Sequence, residues 1–212
     1  MRVLTPRALA RLTARWRLFL GLLCLVAACG GSLPNYNYAS EPDPRKNEVI
    51  LGVGDVVAIN VWGEANEALN TEATIRPDGT ITMPLVGDIK AANETTSSLK
   101  EKIKKQLANY VKMEGTAVTV ALKTWKSYRF TIQGEVMRPS VYTNDQFVTV
   151  ADALALAGGP TRFAKRSEII LMRADTKTHE TRRIPLDYDA LASGKRMDMN
   201  IFVLPGDSIY VP

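Results

Sequence analysis

Histidine and cysteine are nearly missing from this chain. Among 212 residues there is one histidine, His179, and there are two cysteines, Cys24 and Cys29. A lone histidine on the polar stretch 175–180 gives no Ser-His-Asp set with a strand-to-helix elbow. No Cys/His group has zinc spacing. Acidic residues are missing from positions 1–28, which hold five arginines: Arg2, Arg7, Arg11, Arg15 and Arg17. The 27 Lys and Arg of the chain less these five leave 22, against 22 Asp and Glu, so the whole net charge of +5 belongs to the leader. A basic leader is not a basic surface, and nucleic acid is excluded as a partner. Past Cys29 no apolar run approaches the ~20 residues that a membrane-crossing helix needs. Wholesale disorder is excluded too, because a hydrophobic share of 46% and a charged share of 23% are those of a globular chain.

The arginines of Met1–Arg17 are followed by an apolar run, Leu18–Ala28, and then by small residues. This is the three-part plan of a secretory signal peptide over 1–28. Eleven apolar residues are too few to span a membrane, and Gly30-Gly31-Ser32-Leu33-Pro34 stops any helix at once. Val26-Ala27-Ala28-Cys29 resembles a bacterial lipobox, in which the cysteine becomes the first residue and is acylated. The resemblance implies lipid on Cys29. Cys24 leaves with the leader, so disulfide and thiol chemistry both lapse. Gly30 stands where inner-membrane lipoproteins often carry Asp, and by that analogy the outer membrane is favoured.

Residues 29–48 read as a lipidated tether, with Pro34, Pro42 and Pro44, alternating Asn and Tyr, and no apolar period. A first folded unit follows over 49–122. Val56–Trp62 alternates with apolar residues at 57, 59 and 61. Thr71–Ile75 and Ile81–Leu85 read as partner strands around the turn Arg76-Pro77-Asp78-Gly79-Thr80, and 86–89 is a further short extended piece. Leu99, Ile103, Leu107 and Tyr110 form one stripe of a helix over 97–110. Thr95, Thr96 or Ser98 is its cap, and Ala117–Leu122 is again a strand.

A second unit over 126–212 alternates Tyr128, Phe130 and Ile132 before Gly134. Val141–Thr143 reads as its next strand. Thr149 caps a short helix, Val150–Ala157, that Gly158-Gly159-Pro160 ends. Strands follow at 168–173, 181–186 and 208–211. The fold class is α+β: a mixed sheet with one amphipathic helix, then a second sheet unit. Leu51-x-x-Gly54-Asp55 and Leu204-Pro205-Gly206-Asp207 both set a Gly-Asp turn before a strand, and shared turn chemistry explains the echo better than a true repeat.

Catalysis and cofactors find little support. Gly52-x-Gly54 lacks the third glycine and the helix of a dinucleotide site. Gly158-Gly159 ends a helix, whereas phosphate loops begin one. The carboxylate pairs Asp187 with Asp189 and Glu64 with Glu67, candidates for acid–base work on sugars, lie in polar loop-like stretches and read as solvated surface. Trp62, Trp125 and Tyr128 could stack on sugar rings, but their place in or beside strands favours packing. No catalytic residue, metal ligand or cofactor is assigned, and the polysaccharide-contacting residues stay open.

Leu51–Glu64 and Thr74–Ile89, followed by the 99–110 helix, resemble the opening of the polysaccharide export domain of Wza-like outer-membrane lipoproteins. Phe130–Val136 with Pro139, Val150–Leu154 and Ala157-Gly158-Gly159-Pro160 resemble the family's soluble-ligand-binding (SLBB) β-grasp domain. What the resemblance implies is a non-catalytic homo-oligomeric ring, often an octamer, in the periplasm under the outer membrane. A capsule polysaccharide or exopolysaccharide passes through it. The implied partners are an inner-membrane polysaccharide co-polymerase, often linked to a tyrosine kinase, and the polymer itself. The long form of the family ends in a membrane-crossing helix, whereas this sequence stops after a strand at Pro212. The expectation is therefore a separate outer-membrane β-barrel that supplies the hole. A periplasmic sugar-binding or scaffolding lipoprotein that stays monomeric is the alternative, and a glycosidase is a weaker third. For the lipobox, mass spectrometry of the mature N-terminus is expected to find Cys29 first and acylated; an unmodified residue there rejects the assignment.

Overall fold

The computed structural model describes residues 35–63, 69–175 and 180–212. His179, Glu64, Glu67 and Cys29 lie outside them. Two hydrophobic cores organise the described residues.

The first core lies under a three-stranded antiparallel sheet of order β2-β1-β5, made of β1 (Val56–Trp62), β2 (Thr71–Thr74) and β5 (Ala117–Thr124). Val57, Ile59 and Val61 point into it at the period-two spacing of a half-buried strand. A separate hairpin, β3 (Thr80–Met83) with β4 (Gly87–Lys90), adds Ile81, Met83 and Ile89. Helix α1 (Thr96–Leu107) closes the core with Leu99, Ile103 and Leu107. Thr95 is its cap, its hydroxyl accepting from the Ser98 amide at 3.1 Å. Tyr110, expected on the same stripe, falls past the helix end and is exposed.

The pairing of the third strand differs from the sequence reading. The stretch after the 76–80 turn does not return along β2; it pairs with β4, while β2 pairs with β1. The turn is fastened elsewhere, since the Gly79 carbonyl accepts from the amides of both Ala91 and Ala92 at 3.0 Å. Leu85, expected inside the strand, instead forms the hairpin tip with φ 67°.

The second core fills one side of a five-stranded sheet of order β7-β6-β10-β8-β9. The strands are β6 (Arg129–Gly134), β7 (Ser140–Thr143), β8 (Ile169–Ala174), β9 (Thr181–Leu186) and β10 (Ser208–Val211). Only β6 and β10 run parallel among these pairs. Helix α2 (Val150–Leu156) packs Val150, Ala153 and Leu154 into this core and carries a complete Thr149–Asp152 capping box. Gly134 sits where the ends of β6 and β10 meet. Its φ is +92°, and a Cβ there would lie 2.0 Å from the Val211 carbonyl oxygen, so no side chain fits. A short helix, α3 (Tyr188–Ala192), was not foreseen; five residues carry too little periodicity to announce it.

Residues 35–48 are not the extended tether that their composition suggests. Tyr38 is buried in the second core and donates to the Pro185 carbonyl at 2.6 Å. Glu41 takes the Arg173 guanidinium at 2.6 Å and Arg182 at 3.0 Å, with its own side chain 1% exposed. Short 3-10 turns at Tyr38–Ser40 and Pro44–Lys46 replace extended chain. Burying an aromatic ring and satisfying a buried cation outweigh the freedom of a proline-containing linker.

Arg173 is the centre of that arrangement. Its Nε and Nη2 grip Asp207 at 3.0 and 2.6 Å, Nη1 reaches Glu41, and Nη2 also reaches the Phe202 carbonyl at 2.7 Å. Burial opposes its charge, but the hydrogen bonds that it donates to Asp207 outweigh that and hold the guanidinium ionised. Replacing Arg173 by Met leaves two buried carboxylates without this cation. A loss of about 3–5 kcal/mol is expected in denaturant unfolding, most of it recovered when Asp207→Leu is added.

Candidate functional site

Among the described residues the sequence candidates do not converge on a catalytic centre. Asp187 is buried as the cap of α3, its Oδ1 accepting from the Ala190 amide at 2.9 Å. Asp189, two residues on, is exposed and 3.6 Å from Arg166. One carboxylate is spent on a helix end and the other on a surface ion pair, so they do not face each other across a cleft. Among the described residues no group of three or more His, Cys, Asp or Glu side chains could hold a metal ion.

The three aromatic candidates separate. Trp125 and Tyr128 stack at 4.7 Å inside the second core, with Phe147 edge-on to both. The Tyr128 hydroxyl donates to the Val203 carbonyl at 3.0 Å and accepts from the Val148 amide at 3.1 Å. Burial pushes that phenol above its ordinary value. Both rings are packing residues. Trp62 alone is exposed, at the end of β1.

The echoed Gly-Asp turns are two copies of one device. Asp55 Oδ2 accepts from the Gly52 amide at 2.8 Å, and Asp207 Oδ2 accepts from the Leu204 amide at 2.7 Å. In each, the Asp amide also bonds back to the carbonyl three residues earlier. The local chemistry is shared, but the distant partner is not. Asp55 is fully buried and takes the Ser127 amide at 2.7 Å and hydroxyl at 2.8 Å, whereas Asp207 takes Arg173. The Asp55–Ser127 bonds join the start of the first sheet to the segment that leads into the second. Leu122 packs against both cores just before that segment.

A polar surface is built on the 76–80 turn and the β3–β4 hairpin. Arg76 Nη2 donates to Asp88 at 2.8 Å, to the Thr80 hydroxyl at 2.6 Å and to Asp78 at 3.2 Å. Its Nη1 reaches the Thr82 hydroxyl, which in turn donates to Asp88 at 2.7 Å. The Thr80 hydroxyl and amide hold Asp78 below the usual carboxylate range, and the Thr82 hydroxyl followed by Arg76 does the same for Asp88. Composition and spacing could not find this network, because its members become neighbours only when the hairpin folds back. The arrangement has no nucleophile or poised acid; it fixes the shape of an exposed face.

The same two sequence regions match known families. Residues 43–123 match the model of the polysaccharide biosynthesis/export proteins, and residues 129–185 match the SLBB domain. By these two matches the chain is similar to the polysaccharide export proteins. Its relatives include the exopolysaccharide production protein ExoF of Rhizobium meliloti, 29% identical over 68% of this chain and 33% of the relative. The EPS I polysaccharide export outer membrane protein EpsA of Ralstonia solanacearum is 29% identical over 51% of this chain and 34% of its own length. The capsule polysaccharide export protein BexD of Haemophilus influenzae is 25% identical over 52% and 32%. Each alignment spans about a third of the relative's length. Set against these matches, the Arg76 network lies wholly inside the export match, and the Asp55–Ser127 bonds run from that match into the short segment before the SLBB match. Among the described residues no helix is long and apolar enough to cross a membrane.

The hairpin network has a pH signature. Both carboxylates titrate below 3.8 in the folded chain. Their contribution to stability is full above that unfolded value and is lost as the pH falls through the lower folded values. In Thr82→Val the Asp88 titration, followed by carboxyl NMR, is expected to move up toward 3.8, with Asp78 nearly unmoved.

Proposed function

We propose that this chain is a subunit of a polysaccharide export conduit. It is anchored by lipid on Cys29 at the periplasmic face of the outer membrane and closes with identical copies into a ring, for which an octamer is the working size. In this reading 1–28 is the leader, 49–122 the export portion and 126–212 the β-grasp portion. The polymer slides through without chemical change.

The observation that carries the reading is the succession, in one chain, of the export match and the SLBB match, behind a leader that ends in a lipobox-like sequence. The names of ExoF, EpsA and BexD point to the production or export of polysaccharide, and EpsA's places it in the outer membrane. The architecture suits assembly. The strands β2, β5, β7 and β9 lie at sheet edges, and an unpaired edge is a template for another chain. Head-to-tail contacts whose rotation closes give rings. A polar wall with weak sites lets a hydrated polymer move on, since conduction fails where binding is deep. An inner-membrane co-polymerase with its tyrosine kinase, and a separate outer-membrane β-barrel, are the proposed partners.

The test pairs an assembly measurement with a cellular one. Detergent-extracted, lipidated protein is expected to show ring symmetry in electron micrographs and a multiple of the subunit mass. Deletion is expected to abolish surface polymer while intracellular synthesis continues. A solitary subunit at high concentration, together with normal surface polymer in the deletion strain, rejects the proposal.

A further inference from the structure

The first lobe carries a groove beside the Arg76 network, sharing Asp88 with it. It lies between β4 and α1, has a volume of about 610 Å3, and is lined by Asp88, Ile89, Lys90, Lys102, Lys105, Gln106 and Asn109. That volume is within the range of ligand sites. The charges are lopsided. Its one carboxylate, Asp88, is already held by Arg76. Lys102 pairs with Glu94. Lys90 spends one hydrogen bond on the neutral Asp78 carbonyl, at 2.8 Å, which leaves its charge uncompensated. Lys105 makes no ion pair among the described residues. The C-terminal end of the α1 dipole accounts for a lysine at 105, but not for one at 90 on a β-strand facing the same space.

We propose that this groove binds carboxylate-bearing sugar units of a polysaccharide. The inference rests on the export reading and narrows its cargo to an acidic polymer. Lys90 and Lys105 supply positive charge for uronate-type carboxylates, and lysine does so as a mobile point charge without the fixed fork of arginine. Gln106 and Asn109 each offer a donor pair and an acceptor, which suits ring hydroxyls that both give and take hydrogen bonds. The lysine stems present methylene surface to the C–H faces of a sugar. No aromatic ring lines the groove, so each contact is weak and screened by salt. A translocation path needs that weakness, and many copies acting on one polymer restore retention through effective concentration.

The test is calorimetric titration of the detergent-extracted full chain with tetragalacturonate, and separately with neutral maltotetraose. Tetragalacturonate is expected to bind in about the millimolar range. Binding is expected to weaken as salt rises from about 0.01 to 0.15 M, across which the screening length falls from about 30 to 8 Å. Lys105→Glu is expected to weaken it about three- to tenfold, Gln106→Ala by less, and Lys195→Glu on the second lobe not at all. Lys105 is a surface residue, and an unchanged melting temperature separates lost binding from lost folding. No tetragalacturonate binding, equal binding of maltotetraose, or indifference to Lys105→Glu overturns the proposal. Binding to phosphatidylglycerol vesicles that Lys105→Glu removes, with none to tetragalacturonate, overturns it in favour of a lipid surface. Because the titration needs neither the ring nor the cell, its failure leaves the export reading standing.

Discussion

A carboxylate removed from water must be met by hydrogen bonds or by a cation, and three such groups decide how this chain closes. Asp55, Asp207 and Glu41 are all shut away from solvent. Each can be buried only if a distant partner arrives: Ser127 for Asp55, and Arg173 for both Asp207 and Glu41. Meeting that demand joins the first sheet to the segment before the second. It also fixes the turn before β10 and draws the N-terminal segment onto the second core. The apolar residues supply most of the driving force, but a hydrophobic core is tolerant of who its neighbours are. The buried charges are not.

The docked N-terminal segment changes how the anchor region is understood. Composition alone reads residues 35–48 as part of a loose linker. Tyr38 and Glu41 are instead fixed on the second lobe. The surface chemistry is divided in the same economical way. The Arg76 network stiffens one exposed face, and beside it Lys90 and Lys105 of the β4–α1 groove make no ion pair among the described residues.

Where the sequence was legible, the reason was periodicity. Val57, Ile59 and Val61 gave β1, Leu99, Ile103 and Leu107 gave α1, and Thr149 with Asp152 gave the start of α2, because these signals are local and repeat. The reading of Gly54-Asp55 and Gly206-Asp207 as shared turn chemistry rested on the same local logic, and the paired hydrogen bonds agree with it. The reading of β2 and β3 as partners failed because β1 takes the pairing edge of β2 and β4 takes that of β3, a choice that adjacency in sequence does not reveal. Over residues 35–48 the tether reading failed because composition reports average freedom, not the pull of one buried arginine 132 residues away from Glu41.

Composition and periodicity by themselves determined the α+β class and the scarcity of histidine and cysteine, and the wording of Leu51–Glu64, Thr74–Ile89 and Phe130–Val136 carried the resemblance to export proteins. All of these depend on residue type and short-range order. Strand partners, the fate of residues 35–48, the division of Trp62 from Trp125 and Tyr128, and the lysine-lined groove were decided only by the folded chain. Each depends on which residues far apart in sequence come to share one volume from which water is expelled.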